Sequence, residues 1–122
     1  MDDVCTVEVQ LTGIERPEGR VVGRLFAEGD DLFAPHGRLE AEAQPGGATA
    51  TLRFAAVPCG RWALMVYHDG NANGTLDHRW GLPAEPLAFS GGYTLGLLSG
   101  MPTFDKLSFS VSGTTALQLV LR

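Results

Sequence analysis

Residues 61–68 read Arg-Trp-Ala-Leu-Met-Val-Tyr-His, and both alternating sets of this run are apolar: Trp62, Leu64 and Val66 on one side, Ala63, Met65 and Tyr67 on the other. Successive side chains of a strand point to opposite faces, so a strand that is apolar on both must be covered on both. Pro58-Cys59-Gly60 precedes the run as a tight turn. The rest of the chain therefore has to supply neighbours for a central strand, and Trp62, Leu64 and Val66 are expected in the core.

The neighbours are legible as period-two segments. In residues 4–11, Cys5, Val7, Val9 and Leu11 alternate with Thr6, Glu8 and Gln10. A turn at 13–19, with Pro17 inside it, leads to residues 20–27, where Val21, Gly23, Leu25 and Ala27 are expected inward and Arg20 and Arg24 outward. Gly23 on the inward side predicts a close backbone approach or a bulge. Gly29-Asp30-Asp31 and Pro35-His36-Gly37 mark a loop. Leu39, Ala41 and Ala43 then alternate with Arg38, Glu40 and Glu42 as an edge strand guarded by its charges, with a turn or two of helix as the rival. Ala50, Leu52 and Phe54 point inward from residues 48–57. Residues 81–103 are rich in Gly and Pro and are expected to be irregular, a kind of segment that is usually functional. Two strands close the chain: Leu107, Phe109 and Val111 face inward in one, Leu117, Leu119 and Leu121 in the other. With 16 Gly and 7 Pro among 122 residues, turns are frequent. The expectation is an all-β fold, an antiparallel seven-stranded sandwich forming a single domain over residues 1–122.

The formal net charge of −5 gives no electrostatic footprint for nucleic acid. No apolar run approaches the roughly 18 residues of a membrane span. Met1-Asp2-Asp3 leads straight into a strand, so no signal peptide is expected in this chain, which fits a cytoplasmic protein or the mature form of an exported one. Cys5 and Cys59 have no C-x-x-C spacing and nothing clusters with them, which argues against zinc. Two readings remain. A disulfide would contribute about 4 kcal/mol by loop entropy; two small buried hydrophobes, which free Cys often is, are slightly favoured.

The central strand runs into His68-Asp69-Gly70-Asn71-Ala72-Asn73-Gly74-Thr75-Leu76-Asp77. Read as a cation loop, Asp69, Asn71, Asn73 and Asp77 occupy the first, third, fifth and ninth positions, Gly74 the sharp turn at the sixth, and the Thr75 carbonyl the seventh. A hard cation such as Ca²⁺ takes roughly six to eight oxygens, and this spacing wraps oxygens around one centre. The bidentate Glu of an EF-hand is missing from the twelfth position, where Trp80 stands. Glu85 is the only acid between Asp77 and Asp105, and Pro83 and Pro86 restrict the backbone around it, so it is expected to close the site. The competing reading is an Asx-rich turn, because Asn, Asp and Gly favour turns for their own reasons.

No catalytic residues are expected. There is no G-x-S-x-G elbow, and Ser90 and Ser99 have no assignable base. The alternative function is a small hydrolase or transition-metal protein using His68 and His78, which flank the loop; imidazole sites need several convergent nitrogens, and the chain has three histidines.

Several of these features, in this order, resemble the bacterial family called domain of unknown function 2141. They are Phe54 with Pro58-Cys59-Gly60-Arg61-Trp62-Ala63-Leu64, the loop from His68 through Asn71, Asn73, Gly74 and Asp77, then Gly81-Leu82-Pro83-x-Glu85, Phe89-Ser90, and Phe104 with the strand to Val111. Trp62 stands where Tyr is usual and Leu107 where Ala is common. The resemblance implies a transthyretin-like or immunoglobulin-like sandwich and a periplasmic or secreted location. It implies no reaction. The expected function is a non-enzymatic binding or structural module with a Ca²⁺ loop, its partner a protein or a cell-surface glycan.

Overall fold

The computed structural model describes residues 4–14, 19–32, 37–69, 87–91 and 103–121, with the backbone pairing of 78–79 and 82–83. Ten strands fall within these residues: β1 (Val4–Thr12), β2 (Arg20–Phe26), β3 (Leu39–Ala43), β4 (Ala50–Pro58), β5 (Gly60–Asp69), β6 (His78–Arg79), β7 (Leu82–Pro83), β8 (Leu87–Phe89), β9 (Ser108–Val111) and β10 (Thr114–Val120). One helical turn, α1 (Phe104–Leu107), lies between β8 and β9. A three-stranded sheet has the order β10-β1-β4. A five-stranded sheet runs β3-β2-β5-β8, with β9 also paired to β5; β6 and β7 pair only with each other.

The all-β expectation holds, and three details differ. Eight strands of three residues or more stand where seven were expected. The three-stranded sheet is mixed, because β10 runs parallel to β1 from Thr6↔Thr114 to Thr12↔Val120 while β4 runs antiparallel to it. Alternation reveals a strand's buried face but not its direction, which the connections set. The segment expected to be irregular contains β8, which lies antiparallel to Met65, Val66 and Tyr67.

β5 is the central strand, as its doubly apolar pattern requires. Trp62, Leu64 and Val66 join Val7, Val9, Leu11, Leu25, Leu52, Phe54 and Val57 in the core between the sheets. At Gly23 a Cβ would lie 2.8 Å from Leu52 Cδ1 and 3.0 Å from Phe54 Cζ, which is the close approach the sequence predicted. On the other face of the five-stranded sheet, Ala63, Met65 and Tyr67 form a second cluster with Val22, Phe26, Leu87, Phe89 and Leu107.

That second cluster corrects the reading of Arg24. Expected outward, it does stand on the outer face, but that face is covered and Arg24 is only 4% exposed. Strands β2 and β5 are neighbours in register from Arg20↔Asp69 to Phe26↔Ala63. A face that is covered over β5 is therefore covered over β2 as well. A second correction concerns Lys106 and Leu107, expected to begin the strand of Phe109 and Val111, which instead complete the helical turn Phe104–Leu107 and place Leu107 in the second cluster. Thr103 caps the turn, its Oγ1 accepting from the Lys106 N–H at 3.3 Å, while its carbonyl accepts from the Leu107 N–H at 3.2 Å.

The cysteines are bonded to each other, against the slight preference for buried thiols. Cys5 at the start of β1 and Cys59 in the β4–β5 turn have Cα atoms 5.4 Å apart across 54 residues of chain. Val4↔Pro58 and Cys5↔Val57 pairing brings the two segments side by side.

Candidate functional site

Asp69 is the last residue of β5 and the first of the expected cation ligands. Its side chain is fully buried at 0% exposure. It shares the parity of Ala63, Met65 and Tyr67, so it stands on the outer face of the five-stranded sheet, opposite Arg20 of β2. The same face carries Arg24 of β2 and Glu40 and Glu42 of β3, through the pairs Arg24↔Glu40 and Val22↔Glu42.

These groups form two ion pairs on one face. Arg20 donates to Glu42 Oε2 at 2.7 Å at the solvent-exposed rim. The Glu42 contact holds the Arg20 guanidinium above its ordinary value, with smaller contributions from the charges of Asp69 and Tyr67. Further in, the Arg24 guanidinium donates from Nη2 to the Tyr67 hydroxyl at 3.0 Å and lies 4.8 Å from the centre of the Tyr67 ring. Its Nε is 3.3 Å from Glu40 Oε2, close enough for charge pairing but without hydrogen-bond geometry. A buried guanidinium needs such partners, because an unpaired buried charge is costly. Sequence reasoning missed this group. The signal was present in the apolar second face of β5, which obliges β2 beside it to be covered too.

Of the six expected cation ligands, Asp69 is described; Asn71, Asn73, Thr75, Asp77 and Glu85 lie outside the described residues. Among the described residues, no three His, Cys, Asp or Glu side chains gather as a metal group. Asp69 itself suits a hard cation: it is an anionic oxygen donor fixed at the end of the most buried strand.

His68 and Asp69 are adjacent and therefore point to opposite faces. His68 is 5% exposed and shares the parity of Trp62, Leu64 and Val66 in the inter-sheet core. The backbone of His78 pairs with Pro83, and His36 lies outside the described residues.

Ser90, which has no assignable base in the sequence, has a structural place. It is 1% exposed and sits where β8 ends and β9 takes over along the edge of β5. Its N–H donates to the Leu64 carbonyl at 3.1 Å, and its Oγ accepts from the Leu64 N–H at 2.9 Å. The hydroxyl in turn donates to the Leu107 carbonyl. One side chain thus bridges the gap between two strands that share one edge.

No curated protein and no solved structure matches the chain. A family model described as an uncharacterized protein conserved in bacteria (DUF2141) matches residues 9–118, and the chain belongs to that family.

Proposed function

As a member of this bacterial family, the chain is, we propose, a non-enzymatic β-sandwich module that binds Ca²⁺ in residues 69–77 and serves as a binding or structural protein of the periplasm or the cell exterior. The observation that supports this most is the position of Asp69. A carboxylate with 0% exposure terminates the central strand at the residue where the oxygen-bearing spacing begins. An Asx-rich surface turn has no need of a fully buried acid at its first position, whereas a cation loop gains a fixed first ligand. In this reading the ligands are Asp69, Asn71, Asn73, the Thr75 carbonyl, Asp77 and Glu85. The Cys5–Cys59 disulfide supports the location, since such bonds persist in oxidising compartments and are rare in the cytosol. The partner is a protein or a cell-surface glycan.

The test is thermal unfolding and calorimetric titration of metal-free protein with CaCl₂ and with a chelator. Binding at micromolar to millimolar concentration, on the order expected of a site with few carboxylates, raises the melting temperature by mass action. Asp69→Ala and Glu85→Gln weaken the affinity, and with it the shift, to a similar extent. A melting temperature that does not respond to millimolar Ca²⁺ refutes the cation reading and leaves an Asx-rich turn. Zinc or copper retained on purification would instead favour a site built on His68 and His78.

A further inference from the structure

We infer that the outer edge of β10 is a self-association surface, on which a second copy of this chain pairs its own β10 antiparallel to the first. The inference does not depend on the cation loop. A free strand edge presents unpaired N–H and C=O groups, and proteins blunt such edges with charges, bulges, proline or very short strands. Among the described residues, three edges are blunted in those ways. β3 carries Glu40 and Glu42, both paired with arginines of β2. β4 carries exposed Arg53, has Ala56 in the left-handed region at φ 56°, ends in Pro58, and shifts register against β1 between Cys5 and Val7. β8 and β9, of three and four residues, split the edge beside β5 between them.

β10 has none of these devices. Thr-Thr-Ala-Leu-Gln-Leu-Val is seven residues long, without charge, Pro or Gly, and pairs with β1 in unbroken register. Among the described residues it has a strand neighbour on one side only. Thr6 N–H donates to the Gly113 carbonyl and Leu121 N–H to the Thr12 carbonyl, which fixes the phase of the parallel ladder. The odd-numbered residues bond to β1, so Thr114, Ala116, Gln118 and Val120 turn their backbone groups outward. Leu117 and Leu119 pack against the core but remain partly exposed, and Val120 is 50% exposed.

The occupant follows from self-complementarity. An antiparallel pair centred on Leu117 uses the whole strand. Thr114 meets Val120, and Ala116 meets Gln118, as hydrogen-bonded pairs; Thr115 meets Leu119, and Leu117 meets its own copy, between them. No charge opposes a like charge. The outward backbone groups of all four even-numbered residues are satisfied, and the half-covered leucines gain cover. The pairing is two-fold and consumes the edge, so it closes at two copies. One strand pair buries less than the roughly 1,200 Å² of a stable complex, so the equilibrium is weak and depends on concentration. Each copy carries a formal charge of −5, and added salt strengthens the pair by screening their repulsion.

Sedimentation equilibrium over a wide concentration range tests this with the full chain. The expected weight-average mass rises from 13.0 kDa to about twice that value and no further, at lower concentration in high salt. Ala116→Lys combined with Gln118→Lys places lysines opposite each other across the two-fold axis and weakens dimerisation at least about tenfold. Hydrogen exchange of the wild-type protein needs no variant: the amides of Thr114, Ala116, Gln118 and Val120 gain protection as concentration rises. A mass fixed at one chain under all conditions, growth beyond two chains, a dimer indifferent to the paired lysines in a folded variant, or dimerisation without protection of those four amides would each overturn the inference.

Discussion

Replacing Ser90 with Ala tests how the five-stranded sheet is held together, because the hydroxyl performs the work of a missing ladder residue. Its Oγ accepts the Leu64 N–H at 2.9 Å and donates to the Leu107 carbonyl, all within a site where Leu64, Ser90 and Leu107 are at most 1% exposed. Ala fits the same space and introduces no strain, so the loss is confined to these bonds. The Leu107 carbonyl loses a donor, and the Leu64 amide loses its acceptor in the centre of the core strand. A buried group left unsatisfied costs about 1–3 kcal/mol, and with one donor and one acceptor orphaned the expected loss is about 2–6 kcal/mol. For a chain of 122 residues this lowers the melting temperature by roughly 8–24 °C. Urea unfolding monitored by tryptophan emission gives the free energy, and hydrogen exchange of the Leu64 amide locates it. The bond from the Ser90 N–H to the Leu64 carbonyl survives the substitution and serves as an internal control. A loss under about 0.5 kcal/mol, or an equally protected Leu64 amide, would refute the bridging role, since surface-like changes stay within that range.

Leu64→Ala should cost about 2–5 kcal/mol by lost burial and a cavity, because Leu64 has no exposed surface; urea midpoints check this. Trp62, 5% exposed with its Nε1 donating to the Pro58 carbonyl at 2.7 Å, should show blue-shifted, poorly quenched emission in a Trp80→Phe background. Replacing both Cys5 and Cys59 with Ala should lower stability by about 4 kcal/mol at most, as the loop-entropy estimate gives, measured against the oxidised wild type. Asp30 accepts from Arg38 and from the Ala27 N–H, which hold its carboxyl below the usual range. The fold thus favours the ionised form, so its contribution is in place above the unfolded value of about 3.9 and is lost as pH falls through the lower folded value. The stability gap between wild type and Asp30→Asn should accordingly be present near neutral pH and close in acid, in denaturation series across that window.

Most of the core was legible because alternation maps directly onto burial. Cys5, Val7, Val9 and Leu11 of β1, Ala50, Leu52 and Phe54 of β4, and both faces of β5 are buried where the pattern places them. Arg24 shows the limit of that mapping. Its own strand reads as half-solvated, and only the pairing of β2 with β5, a long-range fact, turns its face into an interior one. Strand direction was hidden for a related reason. β10 has the alternation of an antiparallel strand and runs parallel to β1, because the connection through Ser112 and Gly113 carries it to the other sheet. The disulfide depended on distance in space between segments 54 residues apart, and cysteine spacing alone does not carry that information.

The candidate site divides along the same line. Position in a strand is written in sequence, so the end of β5 and the burial that Asp69 inherits from it could be anticipated from the apolar run before it. What surrounds Asp69 could not. Arg20 reaches its neighbourhood through β2, and Glu42 reaches Arg20 through β3, so among the described residues three strands separated by loops contribute to the charge around one carboxylate. This bears on the cation reading in a definite direction. The Arg20 guanidinium feels the charge of Asp69, and a divalent cation bound to Asp69 would feel the guanidinium as a repulsive neighbour. Glu42, which holds Arg20 at 2.7 Å, offsets that repulsion from the rim. A loop motif read in isolation has neither term, and the affinity of the proposed cation site would depend on both.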